Sequence, residues 1–180
     1  LADATAYQST AWGVSTLASG NRATSWGRHT TASGHQSTTF GQYVTASGLN
    51  SIAIGNGNTN PDRLINNIDY SFAIGFNSNA ATLYVGPAAG GSTIGNVGIG
   101  TTSPDADAAL EIDATDKGLL LPRVALTGTA NVAPLSAHVA GMSIYNTATA
   151  GDVTPGRYYN DGTQWVRYAD GEGSKWTNDA

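Results

Sequence analysis

The sequence predicts an all-β fold: a parallel β-solenoid of 14-residue rungs, followed by a small antiparallel β-meander. Three observations lead to this class. Glycines recur every seven residues from Gly13 to Gly55, small and polar residues dominate, and Asp161-Gly162 separates two aromatic segments near the C-terminus. The 180 residues include 23 Gly and no Cys, and only 12% are charged. This composition disfavours a helical bundle or a bulky enzyme core, and it excludes disulfides and thiolate chemistry.

Each rung predicts two short strands. Aligned on Gly13, Gly27 and Gly41, the rungs read STAWGVSTLASGNR, ATSWGRHTTASGHQ and STTFGQYVTASGLN. Two strands of about five residues, each followed by a tight turn, use 14 residues. We expect the recurring glycines to supply the positive φ that such turns require.

Alternation within the rungs predicts a column of large side chains on one face. Stacking in register would place its members about 5 Å apart. We expect this column to be buried, either between rungs or between chains, and the alternative is an exposed surface on which sugars stack. We call it the aromatic column, and it comprises Trp12, Trp26, Phe40, Ile54 and Ile74.

Residues 56–70 break the phase, because Gly55 and Gly75 are 20 residues apart rather than 14. The segment contains Asn60-Pro61, a turn signal, so it predicts a loop that protrudes from one rung. Polar loop side chains are the first candidates for contacts with a ligand. The predicted ligand-binding residues of this loop are Asn58, Asn60, Asp62 and Arg63.

The segments SIAIGNGN (51–58) and SFAIGFNSNAAT (71–82) resemble the SxAIGxxxxA repeats of trimeric autotransporter adhesin heads, the YadA-like group. The resemblance covers about residues 7–90. It implies a left-handed parallel β-roll, three chains assembled about one axis, and attachment at a bacterial surface. The first three rungs depart from the family, since they carry Trp or Phe where the family usually has Ile or Val.

A second resemblance covers most of residues 96–123. NVGIGTTSP (96–104), ALEID (109–113) and KGLLLPR (117–123) resemble, in order and spacing, a connector of phage tail fibres and of large surface proteins of Bacteroidetes-like bacteria. The resemblance implies a fibrous, usually trimeric protein. We therefore expect a β-roll over 1–90 and a connector over 91–125.

The remaining residues, 126–180, predict an antiparallel β-module. MSIYN (142–146) is one strand candidate, and RYYN (157–160) and TQWVRY (163–168) flank Asp161-Gly162 as a hairpin. The aromatic side chains here fit a small core or a trimer interface, and the alternative is a tip that binds a carbohydrate or receptor. Tyr159 and Trp165 are the predicted binding residues of this module.

No motif predicts an enzyme. GNVGIG (95–100) lacks the GxGxxG spacing, no GxSxG segment occurs, and His29, His35 and His138 fit no zinc pattern. Minor alternatives are an axial ion on His29 or His35 of three chains, a weak Ca²⁺ site within 105–116, and a glycosidase carboxylate pair in the second half. We expect no catalytic residue, cofactor or metal, and with a net charge of −5 no nucleic-acid partner.

The predicted function is non-enzymatic attachment. A homotrimeric head or fibre fragment would bind a host-surface protein or carbohydrate, outside the cell, on a bacterial surface or on a virion or particle fibre. We expect no membrane insertion, because no run of 18 apolar residues occurs. The alternative is the receptor-binding tail fibre of a phage or contractile injection particle. An ice-binding solenoid is a weaker alternative, since the threonine column Thr10, Thr24, Thr38 ends in Ile52.

Overall fold

The computed structural model describes residues 1–59, 61–88 and 95–168, and these residues form strands and turns without any helix. The chain divides into two compact units, Leu1–Asp116 and Lys117–Ala180. No helix among the described residues is long and apolar enough to cross a membrane. The predicted all-β class, with a parallel solenoid followed by a mainly antiparallel sheet, is confirmed.

Two sheets form the first unit, and the chain alternates between them. The larger sheet contains, in sheet order, β2 (Thr10–Val14), β4 (Thr24–Arg28), β6 (Thr38–Gln42), β8 (Ile52–Asn56), β10 (Phe72–Phe76), β11 (Leu83–Val85), β12 (Val97–Ile99) and β13 (Leu110–Ile112). The smaller sheet contains β1 (Ala2–Ala4), β3 (Thr16–Ala18), β5 (Thr31–Ala32), β7 (Val44–Ala46) and β9 (Leu64–Asn66).

The strand register confirms the 14-residue rung. Gly13, Gly27, Gly41 and Gly55 pair in sequence across parallel strands, and Gly55 pairs with Gly75. The smaller sheet is parallel throughout and keeps the 14-residue spacing from β1 to β7, whereas β7 and β9 pair residues that are 20 apart. Beyond β10 the direction changes, because β11 runs antiparallel to both β10 and β12, whereas β13 pairs parallel to β12.

Close backbone approach explains the glycines better than turn geometry does. A Cβ at Gly20, which is not in the positive-φ region, would lie 2.0 Å from the carbonyl oxygen of Gly34 on the next rung. A Cβ at Gly27 would lie 1.8 Å from the Gly41 oxygen, and this residue also has φ of +130°. The expectation of positive φ holds for Gly13, Gly27, Gly41 and Gly55, which lie within strands rather than turns, but not for Gly20, Gly34 and Gly48. In both sets the stacked backbones leave no room for a side chain.

The corners are instead formed by residues that carry side chains. In the turn that joins β3 to β4, Ala23 N donates to Gly20 O (3.1 Å) and Arg22 has φ of 58°. This is the geometry of a type II turn, in which the third residue is left-handed. The left-handed residues other than glycine are Gln8, Ser15, Arg22, His29, Gln36, Tyr43, Asn50, Tyr70 and Asn77.

The interior between the two sheets is narrow and holds small and hydroxyl side chains. Ala53 and Ala73 are buried with Val44 and Leu64 in one apolar cluster. Buried hydroxyl groups bond to one another, because a buried polar group must find a partner. The Oγ of Ser25 lies 2.8 Å from Thr30 Oγ1 and accepts from Thr39 Oγ1 at 3.0 Å.

The sheet of the second unit contains four strands. These are β14 (Arg123–Val124), β15 (Ser143–Asn146), β16 (Gly156–Asn160) and β17 (Trp165–Arg167). The last three form the predicted antiparallel meander. β14 differs, because it pairs parallel to β15 and so adds a parallel edge. The core lies on one face of this sheet and consists of Leu126, Ile144, Val153, Tyr158 and Trp165.

Candidate functional site

The aromatic column is stacked as the register predicts. The ring centroids of Trp12 and Trp26 are 5.5 Å apart with planes 15° apart, and those of Trp26 and Phe40 are 5.8 Å apart. This spacing follows from in-register parallel pairing, which places these residues directly opposite one another. The three aromatic members therefore form a row of rings across β2, β4 and β6, with the Phe40 ring tilted 43° from that of Trp26, and Ile54 and Ile74 continue the column.

The single chain does not bury this column, so the expected burial between rungs is wrong. The exposed fractions are 66% for Trp12, 48% for Trp26 and 51% for Phe40, and Ile54 and Ile74 are half-buried. The physical reason is that the neighbouring strand positions, which alternate to the opposite side, fill the narrow interior with small residues. Burial between chains, the other expectation, stays a prediction.

Further apolar side chains lie beside the column, in rows one of which also carries Arg28, Gln42 and Asn56. Val14, Ile52 and Phe76 lie on the same side of the larger sheet and are 58%, 39% and 68% exposed. We call this surface, formed by β2, β4, β6, β8 and β10, the column face. Monomeric soluble proteins rarely leave a contiguous stack of large rings such as Trp12, Trp26 and Phe40 exposed.

The insertion is shorter than the predicted 56–70 loop, because β9 (Leu64–Asn66) lies within it and pairs with β7. Asn58 N donates to Asp62 O (3.0 Å), which closes the loop, and both side chains are exposed. Arg63 is half-buried, and its Nη1 donates to Thr31 Oγ1 (3.2 Å) and Thr45 Oγ1 (3.1 Å).

Arg63 therefore ties the loop to two rungs of the smaller sheet. Asn60, the fourth predicted residue of the loop, lies outside the described residues. The structure brings Asn58, Asp62 and Arg63 together on one corner of the solenoid, as residues of one short loop.

Trp165 is not a surface platform. It is 1% exposed and belongs to the core of the second unit, with its Nε1 lacking a hydrogen-bond partner among the described residues. The hairpin register explains this, because Asn160 pairs with Trp165 and Tyr159 pairs with Val166. Trp165 therefore shares the core face with Tyr158, and Tyr159 lies on the opposite face.

That opposite face carries an aromatic and cationic cluster that the sequence prediction missed. The ring of half-buried Tyr159 lies 5.1 Å from the ring of Tyr168, with planes at 61°. The guanidinium carbon of Arg157 lies 4.7 Å from the centre of the Tyr168 ring, and the Tyr168 hydroxyl lies 3.3 Å from Ser143 Oγ. Counting alternation back from the hairpin loop would have separated Tyr159 from Trp165. We call Arg157, Tyr159 and Tyr168 the tyrosine cluster.

Three ionisable groups shift for structural reasons. Hydrogen bonds from Thr163 and the backbone of Gln164 lower the pKa of Asp161 to about 2. Hydrogen bonds from Thr129, side chain and backbone, lower the pKa of Asp152. Burial raises the pKa of Tyr84. Asp161 stabilises the hairpin loop and Asp152 joins two distant segments at Thr129, and none of the three lies among the predicted binding residues.

No group of three or more metal-ligating side chains occurs within the part of the chain that the structure describes. His29, one candidate for an axial ion, stacks on Tyr43 with ring centroids 5.0 Å apart at the solenoid corner. The imidazole is thus flanked by an aromatic ring at this corner.

Two family comparisons match the chain. Residues 27–58 match the YadA head domain repeat, in two copies. Residues 98–179 match a phage tail like trimerisation region. Searches of curated proteins and of solved structures find no match.

Both resemblances drawn from the sequence are confirmed. The strand register continues the head repeats beyond the matched span, from β2 to β10. The trimerisation region includes β13, the LEI strand of the connector, and all of the described sheet of the second unit. Together the head repeats and the trimerisation region support a trimeric adhesin or fibre-type protein, of a kind that is generally non-enzymatic and exposed outside the cell.

Proposed function

We propose that this chain is part of a homotrimeric attachment protein that binds a host-surface receptor or glycan without catalysis. The trimer is supported mainly by the column face, because its stacked rings are exposed on a single chain. Association about an axis would cover this face and would also multiply weak contacts with a target through effective concentration.

The gain from covering the column is substantial. A Trp side chain buries about 150–250 Å², and Trp12 is 66% exposed. At about 25 cal/mol per Å², covering it contributes about 3 kcal/mol per chain before ordering costs. Several such residues would hold three chains together at low concentration.

Light scattering coupled to size exclusion tests the assembly. We expect a mass near three chains for the wild type, and Trp12→Ala should shift dissociation to a higher protein concentration. Tyr7→Ala is a matched control, because Tyr7 is 67% exposed but lies outside the column. A folded single chain at every concentration would remove the trimer from the proposal, as would equal effects of the two variants.

The target contacts are proposed at two places. The insertion loop offers Asn58, Asp62 and Arg63, and the guanidinium is held in position by two threonines. The tyrosine cluster combines apolar ring area with polar edges and a cation, a combination suited to sugars and carboxylates.

Glycan-array binding by the intact trimer tests these contacts. We expect Tyr159→Ala or the pair Asp62→Ala and Arg63→Ala to weaken binding, whereas Tyr70→Ala should not, since exposed Tyr70 lies on a different corner. Unchanged binding by a folded trimer would eliminate the site that was altered.

A tail fibre of a phage or contractile injection particle is the second candidate. The specific observation that favours it is the match of residues 98–179 to a phage tail like trimerisation region. Immunogold electron microscopy with an antibody against the chain separates the two. Label on the cell envelope supports the adhesin, and label on isolated particles supports the fibre.

A further inference from the structure

Two arginines and a tyrosine form a row across the outer face of the second unit's sheet, the face opposite to its core. Arg123 of β14 pairs with Tyr145 of β15, and Tyr145 pairs with Arg157 of β16. Directly paired residues point to the same side of a sheet, and all three side chains are exposed. Since neighbouring strands are about 4.8 Å apart, the two arginines leave the sheet about 10 Å apart with the tyrosine between them. We call Arg123, Tyr145 and Arg157 the arginine row.

The arginine row is a cationic surface on an acidic chain. The net charge is −5, yet neither arginine of the row forms an ion pair with an acid among the residues that the structure describes. The described acids of this unit are engaged elsewhere, because Asp152 accepts hydrogen bonds from Thr129 and Asp161 accepts them from Thr163. A guanidinium group binds a carboxylate through two parallel hydrogen bonds. The row therefore offers two carboxylate-binding groups in one line.

The surroundings of the row suit a sugar rather than a bare anion. The row forms one side of a groove with a volume of about 540 Å³, within the range of about 300–1,000 Å³ that is typical of small-molecule sites. Thr147 also lines this groove, and the hydroxyl groups of Ser143 and Tyr168 lie 3.3 Å apart on the same face of the sheet. An aromatic ring offers apolar area to the carbon face of a sugar, and protein hydroxyl groups can exchange hydrogen bonds with sugar hydroxyl groups.

We propose that the arginine row binds an acidic glycan whose charged and neutral sugars alternate, with two carboxylates on the guanidinium groups and a sugar ring on Tyr145. The inference rests on the proposed target binding at the tyrosine cluster, which shares Arg157, and it names the chemical class of the target. Alternate sugars of a linear glycan carry their carboxylates at an interval comparable with the separation of the two arginines. One glycan chain can therefore engage both arginines at once, and a trimer would repeat the contact three times.

Isothermal titration calorimetry of the intact protein with a hyaluronan octasaccharide, in which glucuronic acid alternates with a neutral sugar, tests the class of ligand. A chitin oligosaccharide of the same length is the matched neutral ligand. We expect hyaluronan to bind at least about fivefold more tightly than the chitin oligosaccharide. Its affinity should fall with added salt, because exposed charge contacts are screened. A poly-glutamate peptide of equal charge should also bind more weakly than hyaluronan, since it has no sugar ring to stack on Tyr145.

Substitutions of Arg123 test the residues of the row. Arg123→Gln should weaken hyaluronan binding about fivefold, the upper end of the range for one exposed ion pair. Arg123→Lys should lose less affinity, because lysine keeps the charge but not the planar pair of donors. Arg22→Gln is the control, since it removes the same charge from an exposed residue of the first unit. Circular dichroism and the solution mass verify each variant. If Arg123→Gln does not fold, Arg123→Lys and the salt titration of the wild type decide the outcome.

Three kinds of result overturn the inference. Hyaluronan binding that is absent, or no tighter than chitin binding, rejects an acidic glycan as the ligand. Hyaluronan binding that does not respond to salt or to Arg123→Gln, or that responds equally to Arg22→Gln, rejects the arginine row as its site. Equal affinity for the poly-glutamate peptide assigns the row to an acidic protein instead. Each result leaves the proposed attachment function standing if the wild type binds other glycans on an array, whereas a wild type that binds no glycan there removes glycan attachment as well.

Discussion

Glycine-to-alanine substitutions separate two destabilising effects, backbone strain at positive φ and steric overlap of the new Cβ, because the two occur at different positions in the structure. Gly27 combines φ of +130° with a Cβ position only 1.8 Å from the Gly41 oxygen. Gly20 has the close approach alone, at 2.0 Å from the Gly34 oxygen, and Gly141 has φ of +85° with no atom within 4 Å. Gly118 has neither, since its Cβ would also meet open space and its φ lies outside the positive region.

The magnitudes follow from these geometries. A side chain forced into a sparsely populated backbone region costs about 1–3 kcal/mol, and overpacking against backbone costs about 1–3 kcal/mol or more. We therefore expect Gly27→Ala to lower the free energy of unfolding by about 2–6 kcal/mol, the sum of both. Gly20→Ala and Gly141→Ala should each cost about 1–3 kcal/mol, and Gly118→Ala should stay within about 0.5 kcal/mol of the wild type.

Urea unfolding monitored by circular dichroism measures these differences. All variants are compared at one protein concentration, because assembly would make the midpoint depend on concentration. The reasoning is refuted if Gly27→Ala unfolds at the wild-type midpoint, or if Gly118→Ala is as damaging as Gly27→Ala. Equal losses for Gly20→Ala and Gly118→Ala would show that the rungs move apart at little cost.

Three further outcomes are expected. Asn66→Ala should lower the free energy of unfolding, measured in urea, by about 2–4 kcal/mol, because the Asn66 amide donates to two backbone carbonyls inside the solenoid. Asn56→Ala at the surface should change this free energy little. The pKa of Asp161 is about 2 in the folded protein, below the value of about 4 in the unfolded chain. The ionised carboxylate therefore stabilises the fold above about pH 4, and this stabilisation is lost as the pH falls through about 2. Asp161→Asn should therefore make the thermal unfolding midpoint fall less steeply as the pH is lowered at the acid end. Arg63→Ala should speed cleavage of the insertion loop by thermolysin, since two threonine contacts are lost, and Arg28→Ala should leave the rate unchanged.

Much of the strand pairing in the solenoid was predictable, because the period of a sequence repeat determines which residues pair between neighbouring rungs. The spacing of Gly13, Gly27, Gly41 and Gly55 in the sequence is the spacing of pairs in the sheet. The hairpin strands around Asp161 were also predictable, although their loop spans four residues, Asp161 to Gln164, rather than two. Hydrogen bonds from Thr163 and Gln164 to the Asp161 carboxylate explain the longer loop.

The side on which the large residues lie was not predictable from alternation. A period of two separates two faces but does not tell which of them is inside. Trp12 and Trp26 look like core residues, yet a rung whose interior is filled by Ser25 and Thr39 cannot hold an indole ring. The same ambiguity misplaced Trp165, because a two-residue loop and the observed four-residue loop both put it on the face of Tyr158, and alternation does not tell that this face is the inner one.

The constant register of the rungs also makes the repeat a unit of length. One 14-residue rung advances the solenoid by one strand spacing, about 4.8 Å. Adding or removing one rung would lengthen or shorten the molecule in such steps without disturbing the glycine ladder. The 20-residue interval between Gly55 and Gly75 shows that a longer rung is also accommodated, because its surplus is confined to a corner and the strands on either side still pair. The length of the solenoid and the chemistry of its loops can therefore change independently.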